Sequence, residues 1–311
     1  MESKCQSNVI IIYHRVDYDG LFSGNIARKF YLENGYKVEL KGFNYGDQVP
    51  DFEKIIKEYD EICILDVSFD SEIMKMLKES GKTYWIDHHI GTIKISEENG
   101  YSDMKGERTK SKIAASEVAW NYFFKGMKIP RLIELISAYD VWDHDRFNWD
   151  SETTPLQYAL RARYSLSIEK LWKDWDFLLE DCTELSELIR TGQAILKYLK
   201  NVWKSWCSSY AFEVLVAGKY KGICMLSAQG GSLQFESSLT SENGYDLQIV
   251  VNRRGPDLYN VGIYKESDDC NDFDCSEYAS KVYKTGNGHK SAAGFTINLE
   301  QFTKLIKDQV L

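Results

Sequence analysis

The stretch Thr83-Tyr84-Trp85-Ile86-Asp87-His88-His89 is a short apolar run that ends directly in one acid and two histidines. Three further apolar runs precede it, at Val9–Tyr13, Val38–Phe43 and Ile62–Val67. Their length and β-rich composition are typical of buried strands. Helical patterns lie between the runs, over Leu21–Asn34, Phe52–Tyr59 and Ser71–Lys78. This alternation predicts an α/β fold with a mostly parallel, doubly wound sheet.

The rest of the chain divides into a helical stretch and a second, smaller α/β pattern. Residues 111 to about 208 are helical in pattern, with Gly192 as a candidate break and several tryptophans that we expect to pack between helices. Strands are predicted at Phe212–Val216, Ile223–Leu226, Leu247–Val251 and Tyr259–Tyr264, and helices at Leu233–Leu239, Ser276–Tyr283 and Gln301–Leu311. We expect a catalytic domain over residues 1–150, a helical linker over residues 151–208, and a second domain over residues 209–311 that faces the first across a cleft.

The charge and the lack of sorting signals limit the kind of partner. The chain has 47 acidic and 38 basic residues, a net charge of −9 at pH 7, whereas long nucleic acids are usually held by basic surfaces. A long duplex is therefore not an expected partner, although a local pocket for one or two phosphates is compatible with this charge. No apolar run has the length of a membrane helix or a signal peptide, and no C-x-x-C pair occurs. These features predict a cytoplasmic protein with no membrane partner.

Acids and histidines follow three of the predicted strands. His14, Asp17 and Asp19 come after the first, Asp66 ends the third, and the Asp87-His88-His89 triplet follows the fourth. The carboxyl ends of parallel strands meet at one edge of a sheet, where ligands bind. The sequence therefore predicts that these side chains converge.

Such a cluster needs a cation, because crowded carboxylates repel one another. Aspartate and histidine ligands without cysteine suit Mn²⁺, with Mg²⁺, Fe²⁺ and Zn²⁺ as alternatives. The spacing of Asp17 and Asp19 suits two ions, which together can hold a phosphoryl group. Gly20 lets the backbone pass close to the site.

Several motifs in order resemble those of the DHH phosphoesterases. The segment His14–Gly20 resembles their first motif, Ile64–Asp66 their second, and Asp87–His89 the tripeptide that names them. Ser137–Asp140 is similar to the fourth, and Gly286–Gly294 resembles the GGGHxxAAG loop of the domain that accompanies the catalytic one, with Asn287 in place of its middle glycine. The resemblance covers nearly the whole chain.

The resemblance implies a role for each matched residue. It implies two metal ions, Mn²⁺ with Mg²⁺ as the alternative, held by His14, Asp17, Asp19, Asp66, His88 and Asp140. Asp19 or Asp66 would bridge the ions, and His89 would face the scissile phosphate, so catalysis would depend most directly on His89 and Asp19. Asp87 would orient a histidine. Asp143 or Asp145 could replace Asp140 if the helix ends one turn differently.

The substrate-binding residues implied by the resemblance lie mainly in the second domain. Gly286 and Gly288 would adopt positive φ and turn backbone N–H groups toward an anion, with His289 as a further donor. An arginine that grips a phosphate in relatives is missing before this loop. Arg253 could supply the charge or be a solvated turn residue, and Tyr264 could stack on a base. Arg108, with Lys110–Lys112, could form a basic rim or a solvated loop.

These observations predict a two-metal phosphodiesterase that hydrolyses short oligonucleotides to nucleoside 5′-monophosphates, on the nanoRNase side of the family. A cyclic dinucleotide and a bisphosphorylated nucleoside are alternative substrates. From another class, the chain could bind and sequester a nucleotide without hydrolysis. It could also act as a homodimer.

Overall fold

The computed structural model describes residues 6–180, 182–228, 244–265, 271–283, 286–288 and 290–311. The predicted helix Leu233–Leu239 and the predicted site residue His289 lie outside these residues. The chain forms two compact units, Met1–Leu196 and Lys197–Leu311. Each is an α/β unit, as the sequence predicted. The finer division into residues 1–150, 151–208 and 209–311 stays a prediction.

The first unit is built on a parallel sheet in which the four predicted strands all form. They are β1 (Asn8–His14), β2 (Lys37–Phe43), β3 (Glu61–Leu65) and β4 (Thr83–Ile86), in the order β2-β1-β3-β4. All three strand pairs are parallel. The chain runs outward from β1 to β2 and then returns past β1 to β3. The strand order therefore reverses between β1 and β3, which is where ligands bind in open parallel sheets.

Both faces of this sheet are buried. Along β1, Val9, Ile11 and Tyr13 join one core cluster, whereas Ile10 and Ile12 join another. Successive side chains of a strand point to opposite faces, so a strand covered on both sides is apolar throughout. This is why β1 and β3 are continuous apolar runs, whereas the edge strand β2 alternates between exposed and partly buried residues.

Helices cover the sheet and continue the first unit. They are α1 (Tyr18–Glu33), α2 (Phe52–Glu58), α3 (Ser71–Glu79), α4 (Ile90–Asn99), α5 (Ala115–Phe123), α6 (Arg131–Asp140), α7 (Thr154–Tyr164), α8 (Ile168–Lys173), α9 (Trp175–Glu180) and α10 (Cys182–Tyr210). A short π-helical turn, Trp149–Thr153, precedes α7. The division between the two compact units falls within α10. Among the described residues, no helix is both long and apolar enough to cross a membrane.

The prediction that Gly192 breaks a helix is wrong. Gly192 lies inside α10, and a Cβ at this position would collide with the carbonyl oxygen of Pro155. The glycine therefore permits close packing of α10 against the start of α7. The tryptophans mostly pack as predicted, since Trp175 and Trp203 are buried, but Trp206 is exposed.

The second unit contains a mixed sheet. Its strands are β5 (Phe212–Val216), β6 (Tyr220–Leu226), β7 (Leu247–Arg253), β8 (Leu258–Tyr264), β9 (Asn287–Gly288) and β10 (Ala292–Asn298), in the order β5-β6-β7-β8-β10-β9. Helices α11 (Cys275–Val282) and α12 (Leu299–Asp308) pack with it. Strand β10 was not predicted from the sequence, because its first residues, Ala292, Ala293 and Gly294, have little strand propensity. Antiparallel pairing with β8 along its whole length forms this strand.

Candidate metal centre

The end of β1 and the start of α1 supply the first two site residues. Asp17 is the N-cap of α1 and accepts a hydrogen bond from the backbone N–H of Gly20, at 2.9 Å. Its other carboxylate oxygen lies 2.9 Å from Nδ1 of His14. A Cβ on Gly20 would collide with the backbone carbonyl of His14. The close passage predicted for Gly20 is therefore confirmed, and it brings the strand end and the helix start together.

Asp19 lies in the first turn of α1 and is fully buried. Its two carboxylate oxygens accept hydrogen bonds from the backbone N–H groups of Ala115 and Ser116, at 2.9 and 2.8 Å. These donors are at the start of α5, whose N-cap residue is an alanine with no capping side chain. Asp19 thus provides the cap that α5 lacks. Burial raises the pKa of Asp19, while His88 and the Ser116 hydrogen bond oppose that rise.

Asp66 follows β3 in a strained backbone conformation, with φ of +58°. Its carboxylate is buried, and its Oδ1 accepts no hydrogen bond from any described residue. Oδ1 lies 3.4 Å from Nε2 of His88, and Oδ2 lies 3.6 Å from Nδ1 of His14. Burial and the neighbouring Asp19 carboxylate raise the pKa of Asp66 well above its usual value. A strained, buried and unpartnered carboxylate is costly, and such positions cluster at functional sites.

Asp87 has a different role from the other acids, because it is fully hydrogen-bonded. Oδ1 accepts from the backbone N–H groups of His88 and His89, at 2.7 and 3.0 Å, and lies 2.7 Å from Nδ1 of His89. Oδ2 accepts from the Trp85 indole at 3.2 Å and the Thr92 hydroxyl at 3.3 Å. Burial raises its pKa, but the bonds from His89 outweigh this and lower it. The prediction that Asp87 orients a histidine is confirmed, and that histidine is His89.

The histidines of the triplet point to different partners. Nε2 of His88 lies 3.3 Å from Asp140, 3.4 Å from Asp66 and 3.8 Å from Asp19. His89 is bound through Nδ1 to Asp87, and 44% of its side chain is exposed. The hydrogen bond to Asp87 raises the pKa of His89 above its usual value, against the opposing effect of burial.

Helix α6 ends at Asp140 and delivers its carboxylate to His88. The side chain of Asp140 is 26% exposed. Burial and the charges of Asp19 and Asp66 raise its pKa well above the usual value. Asp143 instead forms an ion pair with Lys112, at 3.1 Å. Of the acids near the end of α6, Asp140 is therefore the one that joins the cluster.

Together these side chains form three overlapping groups in which possible ligand atoms lie within 4.8 Å of one another. The groups are His14, Asp17 and Asp66; Asp66, His88 and His89; and Asp19, His88 and Asp140. All the donors are carboxylate oxygens and imidazole nitrogens, which suit Mn²⁺ and Mg²⁺ better than softer ions. A cation would also pair with the unpartnered Oδ1 of Asp66 and relieve the mutual repulsion of Asp19, Asp66 and Asp140. The residues present fit a site for divalent cations.

Two neighbours of the cluster were not predicted. Asn44 and Tyr45 follow β2, and the Asn44 side-chain oxygen lies 3.4 Å from Nε2 of His14. The Tyr45 ring centre lies 5.9 Å from that of His14. The same reasoning about the carboxyl ends of parallel strands could have identified both residues.

An aromatic cluster next to Asp140 was also missed. Trp149 lies parallel to His144, with ring centres 3.9 Å apart, and parallel to Tyr139 at 5.5 Å. Trp142 meets this stack at an angle and is 48% exposed. The sequence signal was available, since Trp142 follows Asp140 by two residues.

The predicted basic rim contacts β4, α4 and the loop between α4 and α5. Arg108 donates to the backbone carbonyls of Trp85, Lys105 and Ser102, at 3.0, 3.2 and 2.7 Å. Lys110 pairs with Glu97. The Arg108 side chain therefore links β4 to the loop that follows α4, which differs from the solvated loop given as the alternative, and its role in phosphate binding stays a prediction.

The predicted substrate residues of the second unit show mostly structural contacts. Arg253 donates to the carbonyls of Gly255 and Pro256 in its own turn, at 2.9 and 3.3 Å. The Tyr264 ring lies over Gly262 of the same strand and packs on a small apolar cluster. Neither contact points to a ligand.

The glycine loop is only partly as predicted. Gly288 has φ of +153°, as expected for a glycine-only conformation. The prediction of positive φ is wrong for Gly286, which is absent from the positive-φ residues of the described chain. Its N–H donates to the carbonyl of Tyr283 at 2.9 Å, and a Cβ there would collide with the carbonyl of Ala279. Gly286 therefore serves close packing against α11.

Solved structures share this fold over nearly the whole chain. A pGpG-specific phosphodiesterase, PggH, from Vibrio cholerae matches with a TM-score of 0.52 at 14% identity, covering 97% of this chain and 96% of that one. The DHH domain of a protein assigned to a family of ribosomal proteins matches with a TM-score of 0.52 at 14% identity, covering 97% and 85%. RecJ from Thermus thermophilus, in complex with Mn²⁺, matches with a TM-score of 0.51 at 13% identity, covering 96% and 51%. No protein-family model and no curated protein matches the sequence.

Proposed function

We propose that this chain, which has the fold of the DHH phosphoesterases, is a metal-dependent phosphodiesterase that hydrolyses short oligonucleotides to nucleoside 5′-monophosphates. One observation carries the proposal. Aspartates and histidines from the ends of β1, β3, β4 and α6 converge at the point where the strand order reverses, and Oδ1 of the buried Asp66 at their centre lacks a hydrogen-bond partner among the described residues.

The metal ligands would be His14, Asp17, Asp19, Asp66, His88 and Asp140. Divalent cations bound there would neutralise the carboxylates and supply Lewis acidity to a phosphoryl group. Asp66 lies 3.6 Å from Nδ1 of His14 and 3.4 Å from Nε2 of His88, and these two histidines belong to different ligand groups. This favours Asp66 as the residue shared between two ions.

His89 would contact the substrate rather than a metal. Asp87 holds its Nδ1, so the ring orientation is fixed and Nε2 remains for a second hydrogen bond. The raised pKa of His89 favours the protonated ring, in which both nitrogens donate. Its exposure would let Nε2 donate to a phosphate oxygen and place a proton near the leaving group.

A short linear substrate is supported by charge and by the similarity in fold. The net charge of −9 gives little attraction for a long strand. PggH, which the chain matches along almost its full length, is specific for pGpG, whereas the chain covers only 51% of RecJ. We therefore place dinucleotides first among the candidate substrates. A cytoplasmic location and a homodimer stay predictions from the sequence.

The test is Mn²⁺-dependent hydrolysis of a panel of matched substrates. The panel holds pGpG, pApA, RNA and DNA of up to 24 residues, cyclic di-GMP and 3′,5′-bisphosphorylated adenosine. Asp140→Asn is the inactive control, because Asp19→Asn would also damage the cap of α5. We expect hydrolysis of strands of two to five residues and a loss of at least about a hundredfold in the control.

Other outcomes would redirect the assignment. Preference for cyclic di-GMP or for the bisphosphorylated nucleoside would keep the metal chemistry and change the substrate. Tight binding of one member without turnover would support a sequestering protein and refute hydrolysis.

A further inference from the structure

We propose that Trp142 is a stacking platform for a nucleobase of the substrate. This inference rests on the proposed function and adds to it the residue that recognises a base beside the scissile phosphate. Trp142 follows the candidate metal ligand Asp140 by two residues, so their Cα atoms are at most about 7 Å apart. An aromatic residue whose backbone is this close to a candidate metal ligand can meet the base of a nucleotide whose phosphate lies at the ligands.

The backbone of Trp142 is strained. Helix α6 has Val141 as its C-cap, and Trp142 follows with φ of +54°. The position after a C-cap is usually glycine, because the left-handed conformation is unfavourable for bulky side chains. The chain places its largest side chain where glycine would be relaxed, and strain of this kind collects at binding sites.

The ring of Trp142 is available for stacking. Its contacts with Tyr139, His144 and Trp149 have interplanar angles of 62°, 56° and 66°. Among the described residues, none of its ring contacts is therefore parallel, and 48% of the residue is exposed. The neighbouring Trp149, by contrast, is buried and stacked on His144. Trp149 supports the cluster from within, while Trp142 presents its indole to solvent.

Other exposed apolar side chains lie beside the metal ligands. Val16 precedes Asp17, Ile90 follows His89, and Tyr45 contacts His14, and all three are exposed. Exposed apolar groups next to polar site residues are typical of ligand-binding sites. A nucleotide matches this arrangement, because its phosphate needs the polar centre and its base needs an aromatic face.

The experiment compares pApA with two analogues, each lacking one of its bases. Trp142→Ala should raise KM for pApA by roughly five- to a hundredfold, the range of a lost base–aromatic stack. The increase should shrink to less than about twofold on the analogue that lacks the stacked base. Trp142→Phe should restore most of the affinity. Trp206→Ala, which removes another exposed indole (42% exposed), should leave KM unchanged.

A second pair of variants separates binding from stability. Trp142→Gly should melt at a higher temperature than Trp142→Ala, because glycine adopts positive φ freely, yet both should bind pApA equally weakly. A purely structural tryptophan would instead link loss of affinity to loss of stability.

The outcomes distinguish this inference from the proposed function. If wild type hydrolyses pApA and Trp142→Ala has the same KM, the platform is refuted and the enzyme stands. Wild type could instead bind pApA in chelator but show no turnover in Mn²⁺. If Trp142→Ala weakens that binding, the stacking role of Trp142 is supported and the proposed hydrolysis is refuted. Neither binding nor turnover by wild type would refute both.

Discussion

Replacement of Asp87 by asparagine tests whether this carboxylate organises His89, the histidine that we propose contacts the substrate. Asp87 is buried and accepts five hydrogen bonds, three at Oδ1 and two at Oδ2. Asparagine has nearly the same shape, but it is neutral and offers only one acceptor oxygen. If that oxygen keeps the three bonds at the Oδ1 position, the amide nitrogen must face the indole N–H of Trp85, which cannot accept.

The size of the effect follows from these contacts. Hydrogen bonds to charged groups contribute about 1.5–3 kcal/mol, against about 0.5–1.5 kcal/mol for neutral ones. Three weakened hydrogen bonds and one mismatched donor would lower the free energy of unfolding by roughly 5 kcal/mol. Part of this loss is offset, because the variant no longer buries a charge. We expect the free energy of unfolding to fall by about 3 kcal/mol, or the melting temperature by roughly 6–12 °C.

The charge state of His89 provides the second readout. The hydrogen bond to Asp87 is the main cause of the raised pKa of His89, so Asp87→Asn should lower that pKa toward its ordinary value. Imidazole proton NMR in chelator can follow this, because the chain has 5 histidines. The pH dependence of stability should also change. The pKa of Asp87 is lowered by folding, so its contribution is present above the unfolded value near about 3.9 and is lost as the pH falls through the folded pKa.

Thr92→Val is the matched control, since it removes a hydroxyl that lies 3.3 Å from Oδ2 of the same carboxylate and 2.9 Å from the backbone carbonyl of His89. It should cost less than about 1 kcal/mol and leave the pKa of His89 unchanged. Two results would contradict the organising role of Asp87. One is a free energy of unfolding of Asp87→Asn within about 0.5 kcal/mol of wild type, and the other is titration of His89 at the same pH in both proteins.

Three further predictions concern the cap of α5, the packing of α10 and the metal centre. Asp19→Asn should lower the free energy of unfolding by about 2 kcal/mol even in chelator, because one backbone N–H at the start of α5 loses its acceptor; equal urea midpoints for variant and wild type would contradict this. Gly192→Ala should lower the free energy of unfolding by about 2 kcal/mol or more in thermal unfolding, because the new Cβ collides with Pro155. The control Gly91→Ala, in open space on α4, should raise the free energy of unfolding by roughly 0.5–1 kcal/mol. Mn²⁺ at a hundred times its Kd should stabilise wild type by about 2.7 kcal/mol, and Asp66→Asn should remove most of that gain. Because folding raises the pKa of Asp66, metal-free wild type should lose stability as the pH rises from about 3.9 through the folded pKa. Asp66→Asn in chelator should reduce this loss and leave the part that Asp19 and Asp140 contribute, because folding raises their pKa too. An unchanged slope in the variant would show that Asp66 does not contribute to it.

The sequence alone determined the sheet and the place of the site. Buried parallel strands such as β1 and β3 are short apolar runs whatever surrounds them. These strands, β4 and the alternating edge strand β2 were all predicted within two residues at each end. The polar residues that follow such strands meet at one edge through topology alone. For this reason the convergence of His14, Asp66 and His88 could be predicted from strand order and spacing.

Only the tertiary structure decided which partner each side chain has. Asp140 and Asp143 lie three residues apart, and they differ in that one faces His88 while the other pairs with Lys112. Arg108 was equally compatible with a phosphate and with the carbonyls that it binds. Strand β10 forms by pairing with β8, and α10 contains Gly192 because it packs closely against Pro155. Both features depend on segments that are distant in sequence. Strand propensity and the order of motifs can be read locally along the chain. Hydrogen-bond partners and close packing are set by residues far apart in sequence. Because the role of each site residue depends on its partners, these roles required the tertiary structure.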